Sequence, residues 1–487
     1  MNPIYIEQLN VVLGTSLENN SKEITFWHKK ILEAYSRKKQ GTDINTENDI
    51  TVMEIYVSAL YAIIAIATFF RADFKSDITV EKRLNLKYLC FVSTEFFKAV
   101  FISNKSNSLW NKFESIFMTG NHSILFQLIN EINEASSKFR TEYFNSDKRN
   151  VSLHYDFNLD IVYKHLCRID EEYEAQHIAS MFSILEPLCR ICSLYLEMRH
   201  PRFNTIVPLY ESDSYKQFRK TLFNNIYNTV GAGLQNFAVC LDKNMNTYHF
   251  IDKPQIKNLL SNESFTRITE LRECIKLSVL LQYFYLDLGT AVRGYLDSEN
   301  YYEQQLHVIR VNVIIYEGYK KIFLSQNNNN QLPSLWKQYI HDPILAIGTT
   351  DDIIEMEAVE TILQDYSTNI NIENLRHKYS HFRRNKHLYL IDLWSNVLTI
   401  DPIIELNKAL EFLKLISRIT ELNKLSLEYF AQQEHQREQN KLLAPLEDIF
   451  AKAAYSCKTT EDREKLNKLK NEFSSMILEI FNKVTKV

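Results

Sequence analysis

The chain has 487 residues, 9 glycines, 9 prolines and a formal net charge of −4. So few glycines and prolines disfavour an all-β or loop-rich fold. The near-neutral charge leaves no global nucleic-acid-binding signature, so any contact with RNA must be local. The seven cysteines lie in apolar segments, which is typical of reduced thiols in a cytoplasmic protein rather than of a disulfide framework.

In chain order, the sequence predicts five regions that are helical nearly throughout, because no segment shows sustained period-two alternation. They are a polar N-terminal extension (1–45), a first repeat (46–199), a connector with one helix (200–262), a second repeat (263–430) and a charged helical tail (431–487). Each repeat is predicted to be a bundle of about four or five helices. The expected fold class is therefore all-α, with two tandem helical bundles.

The strongest candidate for a membrane segment is the apolar run 55–70. It is short for a transmembrane helix. Its counterpart in the second repeat, 277–292, contains Gln282 and Asp287, which a lipid-facing helix would tolerate poorly. Both runs are predicted to be buried core helices, and no membrane partner is expected.

The two repeats can be aligned over residues 70–113 and 292–340. In each, an arginine precedes a glutamate by ten residues, and a second glutamate and a tryptophan follow. The matched residues are Arg71, Glu81, Glu95 and Trp110 in the first repeat and Arg293, Glu303, Glu317 and Trp336 in the second. The arginines are predicted to end core helices in solvent, with a place in a binding cleft as the alternative, and the tryptophans are predicted to anchor packing. The later glutamates are predicted to pair with Lys98 and Lys320 on a helix surface, with the alternative that they orient other arginines of the repeats.

A short motif occupies matching positions in both repeats. It runs from Arg149 to His154 in the first and from Arg376 to His381 in the second, with four residues between the arginine and the histidine. Chance predicts about half a pair at this spacing in such a chain. Asn145, Ser146 and Asp147 precede the first copy, and Asn369 and Asn371 precede the second. These residues predict that the motif opens a helix, where free N–H groups favour a phosphate.

An arginine and a histidine near one phosphodiester can cleave RNA. Histidine titrates near neutrality and can transfer a proton, while arginine donates to phosphate oxygens and stabilises their developing charge. Because the RNA 2′-OH is itself a nucleophile, neither a metal nor a cofactor is expected. DNA, which lacks this hydroxyl, would be spared.

The motif resembles that of the HEPN superfamily, in which a polar residue follows the arginine; Asn150 and His377 stand at that position. The resemblance implies that the two bundles form an intramolecular pseudo-dimer. It also implies that Arg149, His154, Arg376 and His381 share one catalytic cleft, with Asn150 and His377 in support. The implied activity is a metal-independent endoribonuclease that cleaves single-stranded RNA, as a toxin or an antiphage defence effector.

A basic run surrounds the second motif only. Lys378, Arg383, Arg384 and Lys386 are predicted to contact RNA phosphates, although a solvated basic helix face is an alternative. The first motif is followed by Asp156 and Asp160. The second repeat is therefore expected to bind RNA more strongly.

Two other functions fit the same pattern. The protein could be a non-catalytic HEPN-like module that binds RNA or protein, such as an antitoxin or regulatory partner, or an all-α scaffold in which the repeat is only a packing unit. The expected partners are RNA and a regulatory protein, and the expected oligomeric state is a monomer, as a pseudo-dimer, or a homodimer.

Overall fold

A computed structural model describes residues 3–39, 44–102, 108–118, 123–144, 163, 171–200, 213–251, 262–324, 334–369, 392–395, 399–457 and 459–485. These residues are almost entirely helical and include no strand. The prediction of an all-α fold is therefore confirmed. The chain divides into two compact units, one made of 1–246, 278–335 and 358–420 and the other of 247–277, 336–357 and 421–487. The predicted region boundaries stay a prediction.

Among the described residues, six helices precede residue 201. They are α1 (Pro3–Lys38), α2 (Ile44–Lys75), α3 (Thr79–Phe97), α4 (Leu109–Met118), α5 (Ser123–Glu142) and α6 (Glu171–Arg199). A π-helical turn, Lys98–Ile102, follows α3 directly.

The structure describes seven further helices after residue 212. They are α7 (Asp213–Ile251), α8 (Asn262–Asp297), α9 (Tyr301–Phe323), α10 (Asp342–Ile347), α11 (Thr350–Asn369), α12 (Pro402–Ser456) and α13 (Thr460–Thr485). A second π-helical turn, Lys337–His341, precedes α10.

Helix α2 lies in the centre of the first unit, packed against α1, α3 and α6. Its residues from Val52 to Phe69 are buried nearly all round, because the sequence is apolar on every face. Trp27 of α1 and Trp110 of α4 belong to the same core, as do Tyr302 and Ile309 of α9. The core of this unit thus includes residues from both repeats.

Two helices among the described residues are long and apolar enough to cross a membrane, Glu47–Lys75 and Ala175–Arg199. In the first, 94% of the most apolar window is buried inside the fold, against 39% in the second. Core helices of soluble proteins have the same length and composition. The prediction that the run 55–70 is a buried core helix is confirmed, while the cytoplasmic location stays a prediction.

Helix α9 begins with a capping box. The Asn300 side chain accepts from the Glu303 backbone N–H, and the Glu303 carboxylate accepts from the Asn300 backbone N–H. This arrangement holds the Glu303 carboxylate at the first turn of α9, where the helix dipole favours negative charge.

The second unit contains a helical hairpin formed by the end of α12 and by α13. Phe450 and Phe473 pack with ring centroids 6.4 Å apart, and Lys470 pairs with Glu447 at 3.5 Å. In the same unit Arg272 donates to the Tyr248 hydroxyl over 2.7 Å.

Candidate functional site

All the predicted catalytic and RNA-binding residues lie outside the described residues. They are Arg149, Asn150, His154, Arg376, His377, Lys378, His381, Arg383, Arg384 and Lys386. The structure does describe the segments on either side of each motif. Residues 3–200 are called the first half below, and residues 213–430 the second half.

An aromatic cluster joins the two helices that border the first motif. Tyr143, just after α5, packs against Tyr173 and His177 of α6, with ring centroids 5.4 Å apart in both pairs. The Tyr173 hydroxyl also donates to the Glu142 carbonyl over 3.2 Å. The chain therefore enters and leaves the segment 145–170 from neighbouring positions.

Tyr163 lies nine residues after His154 and reaches the second half. Its hydroxyl donates to the Asp242 carboxylate on α7 over 2.9 Å. A residue downstream of the first motif is therefore hydrogen-bonded to the first helix of the other half.

Trp394 lies downstream of the second motif and is fully buried in the core of the first half. Its indole Nε1 donates to the Thr25 hydroxyl on α1 over 3.3 Å, and its ring stacks on Tyr302 with centroids 5.8 Å apart. The hydroxyl Oγ of the neighbouring Ser395 lies 3.0 Å from the ring Nε2 of His28, which is also on α1. Residues after the second motif are thus hydrogen-bonded to the first helix of the opposite half.

Helices α1 and α7 share a glycine and a leucine at one constant offset in the sequence, Gly14 and Leu17 against Gly231 and Leu234. The same offset relates Asn10 to Tyr227 and Thr25 to Asp242. Leu17 and Leu234 are both fully buried. Thr25 and Asp242, which bind the segments downstream of the two motifs, are therefore equivalent positions.

Arg71, at the end of α2, is buried and binds two carboxylates of the second half. Its guanidinium donates to Glu303, and its Nη2 donates to Glu299 over 2.5 Å. Its Nε donates to the Asn10 side chain over 2.8 Å. A Cβ added at Gly14 would lie 3.3 Å from the Arg71 Cζ, so the absence of a side chain there lets α1 approach the guanidinium.

Arg293, at the matching position of α8, makes the reciprocal contacts with the first half. Its Nη1 donates to Glu81 over 2.5 Å and its Nη2 to Asp77 over 3.1 Å. The Tyr227 ring lies 4.0 Å from the Arg293 Cζ, a cation–π contact. The six charged residues of these two sets, Arg71, Asp77, Glu81, Arg293, Glu299 and Glu303, are called the arginine clasp below.

The prediction that Arg71 and Arg293 end their helices in solvent is wrong, since each is only 2% exposed. The reason is that two carboxylates of the opposite half satisfy each guanidinium, which makes burial of the charge possible. The glutamates ten residues after each arginine were visible in the alignment. Each of these glutamates pairs with the arginine of the other repeat. The spacing of arginine and glutamate within one repeat does not reveal this pairing.

The carboxyls of the arginine clasp differ in pKa. Burial raises the pKa of Glu81 to about 7 despite the opposing charge of Arg293, and burial also raises the pKa of Glu303. The hydrogen bond from Arg293 lowers the pKa of Asp77. Each arginine thus binds two carboxylates. One is buried and costly to ionise, and the other is more exposed to solvent.

Replacing Glu81 with Gln is expected to remove a pH dependence of stability. The Glu81 pKa is about 7 in the fold against an ordinary value of 4.5, so the folded state holds this proton more tightly than the unfolded chain. Its contribution to stability is therefore complete below pH 4.5 and is lost as the pH rises through about 7, a change of about 3 kcal/mol.

Urea unfolding of both proteins between pH 4.5 and 8 measures this effect. The free energy of unfolding of the wild type should fall, relative to Glu81→Gln, as the pH rises. A difference that does not vary with pH would mean that Arg293 keeps the Glu81 carboxylate charged throughout the range.

A second cluster of buried polar side chains is not symmetric between the two halves, in contrast to the arginine clasp. Arg310 of α9 donates to the Asn85 side chain over 2.7 Å and to the Asp287 carboxylate over 3.0 Å. Lys87 of α3 pairs with the same carboxylate at 3.5 Å and lies 4.6 Å from the centre of the Tyr283 ring. Burial lowers the pKa of Lys87, opposed by Asp287. Asn85, Lys87, Asp287 and Arg310 are called the charge centre below.

The remaining matched residues have mixed outcomes. Trp110 and Trp336 are both buried, which confirms that they are packing anchors. Glu95 and Glu317 are buried as well, so the prediction that they lie on a helix surface is wrong, while their pairing with Lys98 and Lys320 stays a prediction. Their helices α3 and α9 lie inside the fold rather than along its surface.

Sequence reasoning missed most of the residues that join the halves. Asp77 and Glu299 are matched in the alignment, yet no local motif marks them as partners of an arginine. Asn10 and Tyr227 lie on helices assigned outside the repeats. Among the described residues, no group of three or more His, Cys, Asp or Glu side chains could hold a metal ion, and the metal-independence of the reaction stays a prediction.

No protein-family model matches the chain, and neither a curated protein nor a solved structure matches it.

Proposed function

We propose that the chain is a tandem HEPN-like protein whose two halves pair as an intramolecular pseudo-dimer. The reciprocal contacts of Arg71 and Arg293 support this pairing, because equivalent residues meet in both directions, as across a two-fold axis. On this proposal the repeated unit begins with α1 in the first half and with α7 in the second.

We infer that the pseudo-dimer is an endoribonuclease for single-stranded RNA. One observation carries this inference: the segments downstream of both motifs bind equivalent positions on the opposite half. Tyr163 contacts Asp242, and Trp394 contacts Thr25. Residues downstream of both motifs that each bind the first helix of the opposite half favour one composite site over two separate sites.

In the proposed reaction, one of His154 and His381 accepts the proton of the 2′-OH, which then attacks the adjacent phosphorus in line. The other histidine donates a proton to the departing 5′-oxygen. Arg149 and Arg376 donate to the non-bridging oxygens and stabilise their charge in the transition state. The products are a 2′,3′-cyclic phosphate and a free 5′-OH, with no other reactant consumed.

The residues expected to bind RNA around the second motif are Lys378, Arg383, Arg384 and Lys386, so the second motif would contribute more to RNA binding than the first. We propose RNA as the substrate and a toxin or antiphage role in the cytoplasm, with an antitoxin or other regulatory protein as a further partner.

A cleavage assay tests the proposed activity. Purified protein is incubated with end-labelled single-stranded RNA in EDTA, alongside the same sequence as DNA and as RNA with 2′-O-methyl groups. Only the unmodified RNA should be cut, and the products should carry cyclic phosphate and 5′-OH ends, because the 2′-OH is the nucleophile.

Cleavage that requires a divalent metal, or that also cuts DNA, would contradict the mechanism. If no RNA is cut, even in the presence of phage or host extract, the non-catalytic binding module becomes the better explanation.

A further inference from the structure

The arginine clasp is self-complementary. Arg71, Asp77 and Glu81 of the first half match Arg293, Glu299 and Glu303 of the second at one constant offset in the sequence. Two copies of the first half could therefore form the same ion pairs, with Arg71 of one bound to Glu81 of the other. The clasp by itself does not distinguish a first half from a second half.

The charge centre breaks this symmetry. At the same offset, the position of Lys87 is occupied by Ile309, that of Asp287 by Ala65, that of Asn85 by His307 and that of Arg310 by Tyr88. None of the four polar residues has the same residue type at the equivalent position of the other half. The ammonium and the amide belong to the first half, and the carboxylate and the guanidinium to the second.

A pair of two first halves would bury Lys87 opposite Ala65, where no carboxylate is present. A pair of two second halves would keep the ion pair between Arg310 and Asp287, which lies within one half, and would place His307 where Asn85 accepts from Arg310. The buried charge left without its partner is therefore Lys87, in the pair of two first halves. Burying a charge without its partner is strongly unfavourable.

We propose that the charge centre makes the pairing of the halves heterotypic: the α2–α3 surface of the first half selects the α8–α9 surface of the second half as its partner and rejects another copy of itself. The clasp supplies attraction between any two halves. The charge centre supplies discrimination by penalising the pair of two first halves, and this cost favours the unlike pair in any exchange between the halves. This inference rests on the proposed pairing of the halves and is independent of RNA cleavage.

The experiment uses the full-length chain with a protease recognition sequence inserted between His200 and Asp213. The folded protein is cleaved there, unfolded in urea, refolded, and analysed by native mass spectrometry, which distinguishes the three possible pairs by mass. The wild type should refold to the unlike pair, at least about 100-fold above the statistical proportion.

A triple variant, Lys87→Leu with Asp287→Leu and Arg310→Met, separates discrimination from attraction. With the buried charges gone, the unlike pair should still form, and like pairs should appear near their statistical proportion. Arg71→Gln is the matched control: it weakens the clasp in every pair that contains a first half, so it should lower the affinity of those pairs while the unlike pair remains preferred over the pair of two first halves. Circular dichroism of each intact variant confirms that it folds before cleavage.

Like pairs of the wild type in statistical proportion would overturn the proposal, as would a triple variant that still forms only the unlike pair. If the halves do not associate at all after refolding, the proposed pseudo-dimer also fails. None of these outcomes depends on ribonuclease activity.

Discussion

Replacing His154 or His381 with Ala is expected to lower the rate of RNA cleavage by about 10²- to 10⁴-fold, the typical contribution of a positioned acid or base. Each histidine has its own proton to move in the proposed reaction, so either change should suffice and the double variant should lose little more. Single-turnover rates in EDTA, with RNA in the cleft at saturation, measure the chemical step directly.

His249→Ala is the matched control, because this histidine is exposed on α7 and lies outside both motifs. Its cleavage rate should stay within a factor of about two of the wild type, a margin typical of surface substitutions. A large difference between the two motif variants would show that the halves do not contribute to one site in the proposed way. Retention of full activity in both would remove the histidines from the mechanism.

Asp287→Ala is expected to lower the free energy of unfolding by about 3–5 kcal/mol, the usual cost of removing one partner from a buried ion pair. The Asp287 carboxylate contacts both Arg310 and Lys87. Without it, two cations face each other in the core of the first unit. Urea unfolding followed by far-UV circular dichroism measures the loss.

Glu299→Ala provides the comparison, since it removes another carboxylate bound to an arginine but its side chain is 58% exposed. Exposed ion pairs contribute about 0–1 kcal/mol, so this variant should be much more stable than Asp287→Ala. Equal losses in the two variants would mean that burial of the charge centre does not decide its energetic importance.

The helical fold and its central element could be predicted from the sequence. Gln282 and Asp287 in the repeat counterpart of the run 55–70 favour a core helix over a membrane helix, and the run lies within the buried helix α2. The periodicity of apolar residues indicates which face of a helix is buried. It does not indicate which other helix packs against that face. This is why the helices were predicted well and their partners were not.

The contacts between the halves could not be predicted, for a physical reason. Arg71 is separated from Glu303 by more than 200 residues, and no local pattern reveals such a pair. A repeat indicates which residues are equivalent, but whether an arginine binds its own glutamate or that of the other repeat depends on three-dimensional packing. The match between α1 and α7 was also missed, because Gly14 and Gly231 are conspicuous only once an arginine lies against each.

The contact between Trp394 and Thr25 has a consequence for how the protein is made. These residues lie 369 positions apart, so at ordinary rates of translation about 20–70 s separate their synthesis on the ribosome. Throughout that interval the surface of α1 and α2 that receives the indole remains uncovered on the nascent chain. A chaperone that binds exposed apolar surface would therefore meet this protein in its first half, before the second half has emerged.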